Sequence, residues 1–209
     1  MTERDFTSEI ARSIPWLAQA TGAPAFYLKI PDAGSPGAAN RFTAVKFFDA
    51  VLWHGGRTLA LEAKLSKGPS LSFDALREVQ EDALLAVEAA GGRGFILVNF
   101  RVTFSAKEAK RRGVARLIAA FAVPITAWVA SRQEACRASL PLTWFEEHAI
   151  ALPRIRLADG QAGYDLRALL GTGGQPFRPP SDNSSSATLT QNRIELPQPV
   201  SERTPPDVG

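Results

Sequence analysis

Hydrophobic and polar positions change their rhythm several times along the chain, and each change predicts an element. Ile10, Ile14 and Leu17 recur at helical spacing, with Thr7 or Ser8 as a cap. Pro15 interrupts that run and predicts a kink, or a restart capped by Ser13. Residues 25–30 read as a strand, stopped by Pro31 and the Gly- and Pro-containing loop that follows. Two further strands are expected at about 42–53 and 57–66. A helix is expected from Phe73 to Ala90, capped by Ser72 and closed by Gly91-Gly92. The apolar run GFILVNF, residues 94–100, reads as a buried strand. A basic helix over 105–121, a strand near 123–130 and a short helix from Pro141 to His148 complete the series. This order predicts an α/β fold. From Gly171 to Gly209 the chain is rich in Gly, Pro, Ser, Thr, Asn and Gln, too poor in apolar surface to offset the entropy of ordering, and is expected to be disordered.

The most informative stretch is FFDAVLWHGGRTLALEAKLSK, residues 47–67. Gly55-Gly56 is a two-residue turn signal between two strand-like runs. With that turn, His54 faces Arg57, Asp49 faces Glu62, and Phe47 faces Lys64. Side chains alternate along a strand, so Asp49, Glu62 and Lys64 share one face. The other face would show Phe48, Ala50, Leu52, Leu59, Leu61, Ala63 and Leu65, all apolar. A slip of one residue would scramble both sets. Opposed Cβ atoms lie about 4.5–5.5 Å apart, and two facing carboxylates repel unless a cation sits between them. Mg²⁺ suits that role, since it takes oxygen ligands and retains waters. The carbonyl of Ala63 is a further candidate ligand. Lys64 points to the same pocket, where an ammonium orients water and stabilises phosphate charge. Gln80 falls inside the apolar stripe Phe73, Leu76, Gln80, Ala83, Leu84, Val87. A buried amide there needs partners. They are either backbone groups or the water and phosphate of this site.

Bulk properties narrow the class. The 209 residues are 45% hydrophobic and 22% charged, an ordinary globular composition. No stretch reaches the roughly 18 apolar residues that span a bilayer. The polar start, residues 1–8, does not read as a signal peptide. One cysteine, Cys136, excludes an internal disulfide and fits a reducing, cytoplasmic setting. Cys136 and two histidines are too few for a structural zinc site. Residues 101–137 carry eight Lys/Arg against two Asp/Glu, a net +6. Such a stretch is either an anion-binding surface, as for nucleic acid, or a solvated helix face.

Asp49 with Glu62-Ala63-Lys64 resembles the PD-(D/E)XK nuclease superfamily. Lys29-Ile30-Pro31, Ser72-Phe73 before the helix with Gln80, GGRGFILVNF at 91–100 and Arg137-Ala138-Ser139-Leu140-Pro141-Leu142 narrow the resemblance to RecU-type Holliday junction resolvases. It covers about residues 5–150. It implies a restriction-endonuclease-like mixed β-sheet flanked by helices, within a nuclease domain over 1–170 and a tail over 171–209. It implies Mg²⁺-dependent (or Mn²⁺-dependent) cleavage of four-way DNA junctions by a homodimer. Asp49 and Glu62 take the acidic ligand positions and Lys64 that of the lysine. Gln80 falls where the family has a His-Gln pair, with Val79 in place of the histidine. An acid from the first helix often joins the family's site, and Glu9 is the nearest candidate. The span from Pro31 to Asp49 is shorter than the family's junction-inserting stalk. Lys67, Lys107, Lys110, Arg111, Arg112 and Arg116 are candidate DNA contacts. Another superfamily endonuclease, restriction-like or repair, and a non-catalytic DNA-binding protein on the same fold are the alternatives.

Overall fold

The computed structural model describes residues 2–31, 46–135 and 137–171. The loop after Pro31, Cys136 and the expected tail beyond Gly171 lie outside these residues. Helix α1 (Glu3–Thr21) comes first, followed by strands β1 (Ala25–Lys29), β2 (Ala50–His54), β3 (Arg57–Ser66) and β4 (Ser70–Ser72). Then come α2 (Glu78–Ala89), β5 (Arg93–Thr103), α3 (Ala106–Arg112), β6 (Arg116–Pro124) and α4 (Ile125–Glu134). The last elements are β7 (Ser139–Pro141), α5 (Leu142–His148), β8 (Ile150–Ala151), β9 (Arg154–Arg156) and β10 (Ala162–Tyr164). A six-stranded sheet runs in the order β1-β2-β3-β5-β6-β8. Its β3–β5 pair is parallel and bridged by α2, and the other pairs are antiparallel. The fold is thus α/β: a mixed sheet flanked by helices.

The hairpin register is the expected one. His54 pairs with Arg57, Leu52 with Leu59, and Ala50 with Leu61. Gly55 and Gly56 both have positive φ, 55° and 76°, as a type I′ turn demands. One face of the sheet packs Leu52, Leu59, Leu61, Phe95 and Leu97 against Phe6, Ile10, Ile14 and Leu17 of α1. The opposite face packs Ala60, Ile96, Val98 and Phe100 against Leu84, Trp128 and Phe145. Both faces are covered, so the central strand β5 is apolar almost throughout.

Several expectations are corrected. α1 is unbroken and begins at Glu3, because Thr2 and Asp5 form a capping box. Pro15 sits on the exposed side of the helix, away from its packed face. Ser13 caps nothing; its hydroxyl donates to the Glu9 carbonyl and accepts from the Tyr164 N–H. The helix expected over 73–90 is split: a 3-10 turn spans Phe73–Ala75, and α2 restarts after Arg77. The basic helix expected over 105–121 ends at Arg112, because Gly113 turns left-handed (φ 72°). Residues 116–124 instead pair with β5, and the strand expected near 123–130 is mostly α4. The chain bends at Asp49, so Phe48 packs with the α2-side core and not with Ala50 and Leu52. His54, beside the turn, is buried and shares a 2.7 Å hydrogen bond with Thr21.

Candidate metal centre and nucleic-acid interface

The site grows from the edge where β2 begins. Asp49 lies one residue before that strand. Its N–H donates to the Leu61 carbonyl at 3.0 Å, and its carbonyl accepts from Ile30 N–H at 2.8 Å. The ladder thus pins its backbone between β1 and β3. Asp49 Oδ2 accepts from the Ala63 N–H at 2.8 Å. Lys46 Nζ stands 2.5 Å from Asp49 Oδ1. Ala63 contributes this backbone N–H to the site, while its side chain faces α1.

Glu62 is only 1% exposed. Its Oε1 accepts from Lys64 Nζ at 2.7 Å and from Gln80 Nε2 at 2.6 Å. Its Oε2 is buried with no hydrogen-bond partner. Gln80 is held in turn: its Oε1 accepts from the Arg77 N–H at 3.1 Å and from Lys64 Nζ at 3.3 Å. Gln80 thus caps α2 through its oxygen and holds Glu62 through its nitrogen. Burial pushes the Glu62 carboxyl up to about 7, and the Asp49 carboxylate adds to this against the pull of Lys64.

A third acid joins from α1. Carboxylate oxygens of Glu3, Asp49 and Glu62 all lie within 4.8 Å of one another. Glu9, the acid expected there, is elsewhere. Its carboxylate accepts from Arg101 Nη2 at 3.0 Å and from the Tyr164 hydroxyl at 3.3 Å, with Arg154 at 3.7 Å. Glu3 was missed because the apolar stripe alone set the helix start. The Thr2–Asp5 capping box was the signal that would have placed Glu3 in the first turn.

The donor set fits a hard divalent cation. Three carboxylates converge, one buried oxygen has no partner, and one carboxyl is held near neutrality by burial and a like charge. A cation would relieve all three conditions together.

The basic residues divide into two groups. Arg111 and Arg112 are tied to Glu108, and Arg112 also to Glu146. The Arg111 and Arg112 guanidiniums hold the Glu108 carboxyl down to about 2. These charges are largely satisfied within the protein. Lys67, Lys107, Lys110 and Arg116 are exposed and make no ion pair among the described residues. Lys107 and Lys110 lie on α3, Lys67 just past β3, and Arg116 opens β6.

No known family model matches the sequence, and no curated protein does. Among solved structures, the chain is similar to that of Hjc from Archaeoglobus fulgidus, a Holliday junction resolvase from an archaeal hyperthermophile. Identity is 17%, the match covers 65% of this chain and 88% of that one, and the TM-score is 0.32. No helix among the described residues is long and apolar enough to cross a membrane.

Proposed function

We propose that the protein is a Mg²⁺-dependent DNA endonuclease that acts on four-way junctions as a homodimer. The observation that carries this is the convergence of Glu3, Asp49 and Glu62 within 4.8 Å, with Glu62 Oε2 left unpartnered. Those three carboxylates would hold Mg²⁺ or Mn²⁺. When bound, such a cation supplies a Lewis acid for the scissile phosphate and for the attacking water. The chain's own residues do the positioning. Lys64 and Gln80 lock Glu62 Oε1, which leaves Oε2 for the ion. The Ala63 N–H fixes Asp49 Oδ2, and the ion would take the place of the Lys46 ammonium at Oδ1. Lys64 retains donors to orient water and to offset charge developing on phosphate. A four-way junction has approximate two-fold symmetry, so two such sites in a C2 dimer would make paired nicks.

The test uses a labelled four-way junction and the matching linear duplex, each with Mg²⁺ or EDTA. Paired nicks in the junction are expected with Mg²⁺ and none with EDTA. Glu62→Ala should bind the junction without cutting it. Full activity of Glu62→Ala, or cleavage in EDTA, sinks the metal-site reading. Equal cleavage of the linear duplex sinks junction selectivity and leaves an endonuclease of another kind. Binding without cleavage under every condition leaves a non-catalytic DNA-binding protein.

A further inference from the structure

A second feature lies where β3 and β5 end and β6 begins. A cavity of about 300 Å³ opens there, lined by Leu65, Lys67, Arg101, Thr103 and Arg116. Three of those five residues are cations, and none is an acid. The Arg101 side chain is only 10% exposed. Glu9 fixes it through Nη2 at 3.0 Å, while its Nε is buried without a partner. Three like charges around one small cavity repel, and an unmet buried donor costs stability. A bound anion answers both.

The geometry points to this cavity as a phosphodiester pocket that grips the DNA backbone away from the scissile phosphate. This rests on the nucleic-acid part of the proposed function. Side chains alternate along β3, so the cavity beside Leu65 and Arg101 opens on the side of the sheet opposite Glu62 and Lys64, at the end where β3 and β5 stop. A phosphate gripped there is therefore a different one from the phosphate at Lys64. Arg101 supplies a charge preset by Glu9, Lys67 and Arg116 supply mobile charges at the rim, and the Thr103 hydroxyl adds a neutral donor. Such a contact positions a strand without reading its sequence.

The experiment compares the full-length protein with Lys67→Gln/Arg116→Gln. Both residues are exposed, so the fold does not depend on them. The control Arg57→Gln/Arg93→Gln removes the same charge at the opposite ends of β3 and β5. Junction affinity is measured in EDTA across a salt series. The pocket variant should weaken Kd by about tenfold and flatten the log–log salt slope by about 1, with a smaller change in the control. Unchanged affinity and slope overturn the pocket, and so does an equal loss in the control. Inorganic phosphate is titrated alongside. Phosphate binding lost in the pocket variant, with DNA affinity unchanged, marks a small-anion site and overturns the backbone assignment. Failure of the pocket and failure of the nuclease reading separate cleanly. Mg²⁺-dependent cleavage with an unaltered salt slope defeats only the pocket. A flattened slope in a protein that never cuts DNA defeats only the nuclease.

Discussion

Two glutamates lie buried on opposite sides of the same sheet, and they differ in everything but burial. Glu9 is 2% exposed and Glu62 is 1% exposed. Glu9 faces Arg101, Arg154 and the Tyr164 hydroxyl. Burial and the neighbouring Glu9 push the Tyr164 phenol up to about 12, so it stays a proton donor. Asn99 Nδ2 in turn donates to the Tyr164 oxygen at 3.0 Å. Glu62 faces two other carboxylates, and one of its oxygens has nothing to bond. Burial alone therefore does not mark a functional acid. The partner set does: arginines complete a structural charge, while fellow acids and an orphaned oxygen leave a place for a ligand.

The sharpest way to test that contrast is Glu62→Gln. Cleavage with Mg²⁺ should fall by roughly 10³-fold or more, because the amide is a poor ligand for a hard cation. Stability should move the other way. A carboxyl raised from 4.5 to about 7 holds its proton more tightly when folded than when unfolded. Its contribution to metal-free stability is full below about pH 4.5 and is lost as pH rises to about 7. The loss is of the order of 3 kcal/mol. Urea unfolding in EDTA at pH 8 should therefore find Glu62→Gln more stable than wild type, with a flatter profile between pH 5 and 7. Added Mg²⁺ should stabilise wild type and leave the variant unmoved. A variant destabilised in EDTA would mean that Glu62 is a structural charge like Glu9.

Glu9→Gln is the mirror experiment. Removing one member of a buried ion pair strands Arg101 and weakens the link to Arg154, at a cost of about 3 kcal/mol. Urea unfolding reads this directly, and Mg²⁺ should not restore it. Cleavage per folded molecule should persist. A stable Glu9→Gln protein that cannot cut DNA would erase the distinction between the two clusters.

Why one glutamate was legible in the sequence and the other was misplaced has a local explanation. Asp49, Glu62 and Lys64 follow from one turn: Gly55-Gly56 accepts positive φ at both positions, and that sets every pairing of the hairpin. β5 and α5 were equally plain, one from a run apolar but for Asn99 and the other from Pro141 at its start. The errors lie where a side chain overrules the local pattern. Gln80 caps α2 from inside it and so starts that helix at Glu78, well after Ser72. Gly113 ends α3 early and frees Arg116 to begin a strand. Thr2 and Asp5 start α1 at Glu3, more than a turn before the apolar stripe, and so carry Glu3 to the site. Tertiary partners of Glu9, 92 to 155 residues away, are invisible to any local pattern.

Glu3 gives the smallest expected effect and the finest test of the comparison. It is exposed, unlike Asp49 and Glu62, and it sits at the first position of its helix. Water competes for an exposed carboxylate, so its share in holding the ion is smaller than that of the two buried acids. Glu3→Gln should raise the Mg²⁺ concentration needed for half-maximal cleavage by about tenfold, which corresponds to about 1.4 kcal/mol. The rate at saturating Mg²⁺ should change less. A Mg²⁺ titration of junction cleavage separates these two quantities. The capping box of Thr2 and Asp5 remains in the variant, so α1 keeps its start and stability should hold. If Glu3→Gln leaves the Mg²⁺ requirement where it was, the site has two acidic ligands and Glu3 is an exposed neighbour. The ion would then rest on Asp49 and Glu62 alone, and the difference from Glu9 would come down to one orphaned oxygen.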